Sequence, residues 1–311
     1  MKPSLLLVET KCPGGHVQLY RSQVRDYCAD YDVTLSTTPA YFENFADLGI
    51  AFREIPDTGK VPGGKIGRKI LQARRLTPVL RRWRQERFDK CIVLSFDTHV
   101  LALVSTLVSV RDVSFFMHNN VDEILTSRSK RACFRLIPQS ATFLAFEEYI
   151  AEFLCTRFRV NAQAVFHERR VAQPGNPPDL RPAGERKYVF SPSTECDPVF
   201  LTKLIAFCRK NDLLLLTKPQ PNLPASSDII VQRRFDNYDD LLVHAEYVAC
   251  GVDYQYRISG VLLEALGNRK KIVANDCILV RHLKEEAEEE FIVLNEKHHY
   301  AHAGKSAILR A

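Results

Sequence analysis

Tyr254-Gln255-Tyr256-Arg257-Ile258-Ser259-Gly260-Val261-Leu262-Leu263-Glu264-Ala265-Leu266-Gly267 is the stretch on which the reading of this chain turns. Ser259-Gly260 is a small-residue turn that opens an amphipathic helix, and Glu264 lies just over one turn inside it. Gly267-Asn268 is a stop signal, and the strand Lys271-Ile272-Val273-Ala274 follows. A strand, a tight turn and a helix N-terminus form a ready-made anion site, because the first backbone N–H groups have no intrahelical partner. A carboxylate one turn further in can accept hydrogen bonds from a ribose diol. Phosphate at the helix start with sugar hydroxyls on Glu264 is a nucleotide-sugar arrangement.

The same residues resemble the donor-binding signature of retaining, family 4-like GT-B glycosyltransferases: Glu-Gly-Phe-Gly, four mostly apolar residues, then Glu. Aligned on Glu264, the second Gly falls on Ser259 and the first Glu on Tyr256. The lead-in, Phe235 to Leu242 and then His244 to Cys250, resembles that family's short helix and following strand. The likeness is clearest over residues 186–276. It implies an α/β chain of GT-B fold, two Rossmann-like doubly wound domains facing a central cleft. It also implies transfer of a hexose or related sugar from a nucleotide diphosphate sugar, with retention. The nucleotide sugar is a co-substrate, and no cofactor or metal is expected.

At 311 residues the chain is long enough for two domains with proper cores. Its 46% hydrophobic and 26% charged residues exclude disordered and fibrous classes. The apolar start Leu5-Leu6-Leu7-Val8 stops at Glu9, too short for a signal peptide or a span. Nine scattered cysteines with no C-x-x-C pair favour a reducing cytoplasm and no structural zinc. The expected location is therefore cytoplasmic, or peripheral at the inner face of a membrane.

The net charge of +6 is uneven: residues 1–187 carry +8 and residues 188–311 carry −2. Lys65 to Lys90 holds ten cations and two acids. Leu76, Val79, Leu80 and Trp83 form one stripe, flanked by Arg81, Arg82, Arg84 and Arg87. One reading is a solvated helical face; another is contact of residues 65–90 with anionic headgroups or a lipid-pyrophosphate acceptor. Nothing resembles a nucleic-acid reader, so no such partner is expected.

Short apolar runs alternate with helical patterns through the first half. Strands are expected at 5–9, 32–37, 50–55, 90–96, 113–117, 142–146 and 161–166, and helices at 17–27, 66–75, 78–86 and 98–110. Thr77-Pro78 reads as an N-cap with a first-turn proline, which predicts two basic helices rather than one. The Pro/Gly-rich segment from Val171 to Pro178 reads as a linker, giving domains at 1–170 and 188–311 around a linker at 171–187. The alternation then restarts, with strands at 188–191, 213–217, 229–233, 272–274 and 291–294. Helices are expected at 198–209 and 279–290, and a closing helix at 298–309.

Candidate donor-binding residues are Gly14, Gly15, Lys218, Tyr256, Arg257, Ser259, Gly260, Val261 and Glu264. Gly14-Gly15 separate the first strand from the first helix, where amides can face a pyrophosphate without Cβ obstruction; an ordinary turn is equally compatible. His118-Asn119-Asn120 closes the fifth strand, at the sheet end where ligands bind, and places His118 and Asn119 on the acceptor side. Lys218 ends a strand and would neutralise the leaving diphosphate, and the resemblance makes His118, Lys218 and Glu264 the catalytic set. The family's Arg/Lys pair falls on Ser191–Asp197, which has no Arg; Lys218 and Arg257 stand in for it. Glu9, Glu147, Glu148 and Glu168 are candidate bases should the reaction invert. The reading is a glycosyltransferase acting on a glycan acceptor, lipid-linked, in surface or exopolysaccharide biosynthesis. The alternatives are an inactive GT-B-like binding or partner protein, and a nucleotide-sugar epimerase of the same fold.

Overall fold

The computed structural model describes residues 2–13, 16–55, 64–83, 85–86, 88–165, 169–173, 175, 186–221 and 223–295. The chain divides into two compact units, residues 1–167 and 168–311.

In the first unit, seven strands form one sheet: β1 (Ser4–Glu9), β2 (Asp32–Thr37), β3 (Ala51–Glu54), β4 (Lys90–Ser95), β5 (Val113–Met117), β6 (Thr142–Ala145) and β7 (Asn161–Ala164). All are parallel, in the order β3-β2-β1-β4-β5-β6-β7. The central strands are apolar on both faces because crossover helices cover both; every residue of β5 is buried. The helices are α1 (Val17–Asp30), α2 (Pro39–Phe42), α3 (Gly64–Arg82), α4 (Thr98–Leu107), α5 (Asn120–Thr126), α6 (Arg128–Arg135) and α7 (Glu148–Phe158). Asp97 caps α4 by accepting from the amides of His99 and Val100.

One sequence expectation fails here, and one group of helices went unread. The basic segment is one helix, α3, that continues through Pro78. The Thr77 hydroxyl donates to the Ala73 carbonyl at 2.8 Å, and Leu76, Val79, Leu80 and Trp83 form one buried stripe that holds both halves in register. That stripe faces the unit's core, so it is not an apolar face offered to a membrane. The segment between β5 and β7 also holds three helices, α5 to α7, that the periodicity did not bring out.

The second unit repeats the plan with β8 (Tyr188–Ser191), β9 (Leu214–Thr217), β10 (Ile229–Val231), β11 (Tyr247–Cys250), β12 (Lys271–Asn275) and β13 (Phe291–Asn295). Its six parallel strands run β10-β9-β8-β11-β12-β13. Side chains alternate across the sheet: Val189, Leu215, Ala249 and Val273 pack under α8 (Pro198–Lys210). Phe190, Leu216, Val248, Cys250 and Ile272 pack under α9 (Tyr238–His244), α10 (Gly260–Gly267) and α11 (Ile278–Glu286). Each fully buried apolar side chain contributes roughly 1.5–3 kcal/mol. Both units are thus doubly wound sheets, and their strand order reverses between β1 and β4 and between β8 and β11. The expected closing helix at 298–309 lies outside the described residues. No helix among the described residues is long and apolar enough to cross a membrane.

Candidate functional site

In the second unit the reversal point gathers the loops that follow β8, β9 and β11. The Asp197 amide donates to the Gly251 carbonyl at 2.7 Å, joining the β8 and β11 loops. A Cβ on Gly251 would stand 2.6 Å from Cys196 Sγ, so only glycine permits this closeness. Asp197 also caps α8 by accepting from Phe200 N, with Pro198 at the first helical turn. Gln220, just beyond β9, donates to the Ser193 carbonyl and brings the third loop in.

Ser259 caps α10, its hydroxyl accepting from the Leu262 amide at 3.5 Å. The amides of Gly260 and Val261 meet no acceptor among the described residues. A side chain built at Gly260 would touch nothing within 4 Å, so the helix start opens onto clear space. An anion placed there meets two donors and the positive end of the helix.

Arg257 lies beside this opening. Its Nη1 donates to Glu195 Oε2 at 3.0 Å, its guanidinium covers the Tyr254 ring at 4.3 Å, and the Tyr254 hydroxyl donates to the same Glu195 oxygen at 2.9 Å. Burial pushes the Tyr254 hydroxyl well above the usual phenol range. Tyr256 and Lys218 are partly buried on the β11 and β9 loops. Val261 packs against the core.

Glu264 makes contacts that the sequence did not announce. Its Oε1 accepts from Arg170 Nε at 3.2 Å and its Oε2 from the Tyr238 hydroxyl at 2.7 Å. Arg170 also makes a bidentate pair with Asp239, at 3.0 and 2.6 Å. The Asp239 hydrogen bond and the Glu264 charge hold the guanidinium above its usual range, against the pull of burial. Burial and the neighbouring Glu264 also hold the Tyr238 hydroxyl far above the usual phenol range. The segment 169–173 is thereby clamped to α10. Ala172 N and the Arg170 carbonyl both bond the Asn268 side chain, and a Cβ on Gly267 would meet the Arg169 carbonyl at 2.7 Å.

In the first unit the reversal point holds a different cluster. Glu9, at the end of β1, is fully buried, and its carboxylate accepts from Lys11 N at 2.6 Å, Cys12 N at 3.0 Å and the Ser95 hydroxyl at 2.7 Å. Burial pushes this carboxyl above its ordinary value, and the bonds from Ser95 and the two amides pull it back. His118 Nε2 lies 2.8 Å from the Leu94 carbonyl, which only accepts, so Nε2 carries a proton and donates. The Tyr20 hydroxyl stands 3.2 Å from that nitrogen and 3.3 Å from His16 Nδ1. The His16 and His118 rings are 4.9 Å apart. His16 was not singled out from sequence. The signal was available: it directly follows a glycine pair at a strand end, as His118 directly ends a strand. Asn119 is partly buried at the start of α5, and the next residue, Asn120, donates to the Phe96 carbonyl. Gly14, Gly15 and Glu168 lie outside the described residues. No group of three or more metal-binding side chains occurs among the described residues.

The two sheets and their helices define the GT-B fold. A structure from Anabaena, Alr3699/HepE in complex with UDP, is similar at a TM-score of 0.66 and 12% identity, over 94% of this chain and 86% of that one. Arabidopsis thaliana UGT89C1 complexed with UDP-L-rhamnose is similar at a TM-score of 0.55 and 14% identity, over 95% and 86%. A glycosyltransferase from Rickettsia africae is similar at 0.55 and 10%, over 89% and 80%. No family model and no curated protein matches the chain.

Proposed function

We propose that this chain is a glycosyltransferase that moves a hexose or related sugar from a nucleotide diphosphate sugar onto a glycan acceptor, with retention. The observation that carries this reading is the open start of α10, where the Gly260 and Val261 amides meet no acceptor among the described residues. A diphosphate is the ligand chemistry that fits two amides at a helix dipole beside Arg257. The UDP and UDP-sugar complexes of the structural neighbours support the same donor class. In this reading Lys218 stabilises the departing diphosphate, Glu264 holds the ribose, and His118, with His16 beside it, orients the reacting hydroxyls. A lipid-linked acceptor, a role in surface polysaccharide synthesis and a peripheral cytoplasmic location belong to the same proposal.

One observation favours a second reading, a binding protein without turnover: Arg257, a stand-in for the family's cation pair, is already paired with Glu195. The test is nucleotide release from a panel of donors, with and without a lipid-linked glycan extract, and the anomeric configuration of any product by NMR. Release that depends on acceptor supports transfer. Donor binding without release under every condition supports the binding protein.

A further inference from the structure

A cavity of about 550 Å³ opens in the first unit at the carboxyl ends of β1 and β4, and none of the second unit's donor-binding candidates is among its described lining residues. Six cations do: Lys11, Lys65, Arg68, Lys69, Arg75 and Lys130. Among the described residues two carboxylates face them, and both are engaged. Asp97 caps α4 and lies 3.6 Å from Lys69, and Glu123 pairs with Lys130. Lys65 and Arg68 have no carboxylate partner among the described residues. The back wall is tied together by hydrogen bonds. Gln72 bridges the Thr10 hydroxyl and the Asp97 amide, and Arg75, nine-tenths buried, donates to the Thr10 carbonyl at 3.3 Å. A concave site with this excess of positive charge concentrates anions, and clustered Lys and Arg with forked donors match phosphate oxygens.

We propose that this cavity binds a phosphate or diphosphate group, and that the group belongs to the acceptor. The second half rests on the transfer proposed above; the anion site itself does not. Two sources share the chemistry, a lipid-linked phosphate and a soluble sugar phosphate.

The experiment measures inorganic pyrophosphate binding to the full chain by calorimetry at low salt. It compares wild type, the double variant Lys65→Glu/Arg68→Glu, and Lys218→Ala as a variant in the other unit. Reversing two exposed cations at the rim should weaken the site about tenfold or more. Lys218→Ala should leave this pyrophosphate site intact. A melting temperature equal to wild type shows that the double variant is folded. Absence of pyrophosphate binding in wild type, or equal binding in the double variant, overturns the proposal. Co-sedimentation with phosphatidic-acid vesicles and competition by glucose 1-phosphate then separate the sources; response to either upholds the site, and response to neither overturns it. A chain that keeps this site yet releases no nucleotide from any donor would overturn the transfer reading alone.

Discussion

Replacing Glu264 tests the donor assignment and the clamp on segment 169–173 together, because the same carboxylate serves both. Glu264→Ala would leave the partly buried Tyr238 hydroxyl without its 2.7 Å acceptor, which costs roughly 1–3 kcal/mol. The lost pair with Arg170, whose side chain is 35% exposed against 25% for Glu264, adds about 0.5–1 kcal/mol after solvent screening. Arg170 keeps Asp239, so the segment stays attached. At about 2–4 °C per kcal/mol for a unit of this size, Glu264→Ala should melt roughly 3–15 °C lower. Glu264→Gln keeps an acceptor for Tyr238 and loses only the ion pair, so its melting temperature should fall by about 1–4 °C. If the carboxylate also holds a ribose, Glu264→Gln should bind nucleoside diphosphates about tenfold to a hundredfold more weakly, the value of one charge-assisted hydrogen bond. The assay pairs scanning fluorimetry with calorimetric titration of UDP and its purine counterparts. Unchanged nucleotide affinity in Glu264→Gln would assign the carboxylate to the clamp alone and remove it from the donor site. An unchanged melting temperature in Glu264→Ala would refute the clamp.

Four further outcomes follow. Lys218→Ala should chiefly lower turnover, and His118→Ala should lower turnover while leaving nucleotide affinity nearly intact; neither effect can appear in a protein that only binds. Glu9 has a raised folded-state pKa, so its contribution to stability is present below its ordinary value of 4.5 and is lost as pH rises through the folded value; Glu9→Gln should gain stability relative to wild type over that rise, measured by denaturant titration. Burial raises the thiols of Cys196 to about 11 and of Cys208 and Cys250 to about 12, from 9.0; their share of stability is complete below pH 9 and should be lost as pH climbs through those values, seen as alkaline unfolding. A thiol reagent should label Cys155, the exposed cysteine, first, while Cys91, Cys208, Cys250 and Cys277 react only on unfolding.

The elements that were legible are those whose own residues carry the whole signal. The strands at 113–117 and 188–191 appear within the expected bounds, because a central parallel strand is apolar on both faces and stops where its polar loop begins. The helix α6 was not legible for the opposite reason: it is strongly cationic, and only Phe134 of its residues is buried. The helix α7 did carry a pattern, since Ile150, Ala151 and Leu154 line one face, but the apolar run of β6 directly before it masked the change of period. At Thr77-Pro78 a local stop signal was read correctly as chemistry and wrongly as a boundary. A proline removes one helical hydrogen bond, and four buried apolar side chains on one stripe outweigh that loss.

The candidate site divides along the same line. What a helix start can do was written in Ser259-Gly260, because capping and orphan amides are decided within four residues. What Glu264 touches was not, because its partners Arg170 and Tyr238 lie 94 and 26 positions away and meet it only once the sheet has formed. That separation changes the meaning of the motif residue. A ribose-binding carboxylate read from the signature alone is an isolated acceptor waiting for a ligand. In the folded unit it is the junction of an arginine, a partly buried tyrosine and the segment entering the unit, so a ligand at Glu264 would reset the hydrogen bonds that hold residues 169–173. Donor binding and the anchoring of that segment are then linked through one side chain. A nucleotide that takes a lone pair from Glu264 should change the protease sensitivity of the chain around Arg169–Gln173, and the same nucleotide should leave it unchanged in Glu264→Gln.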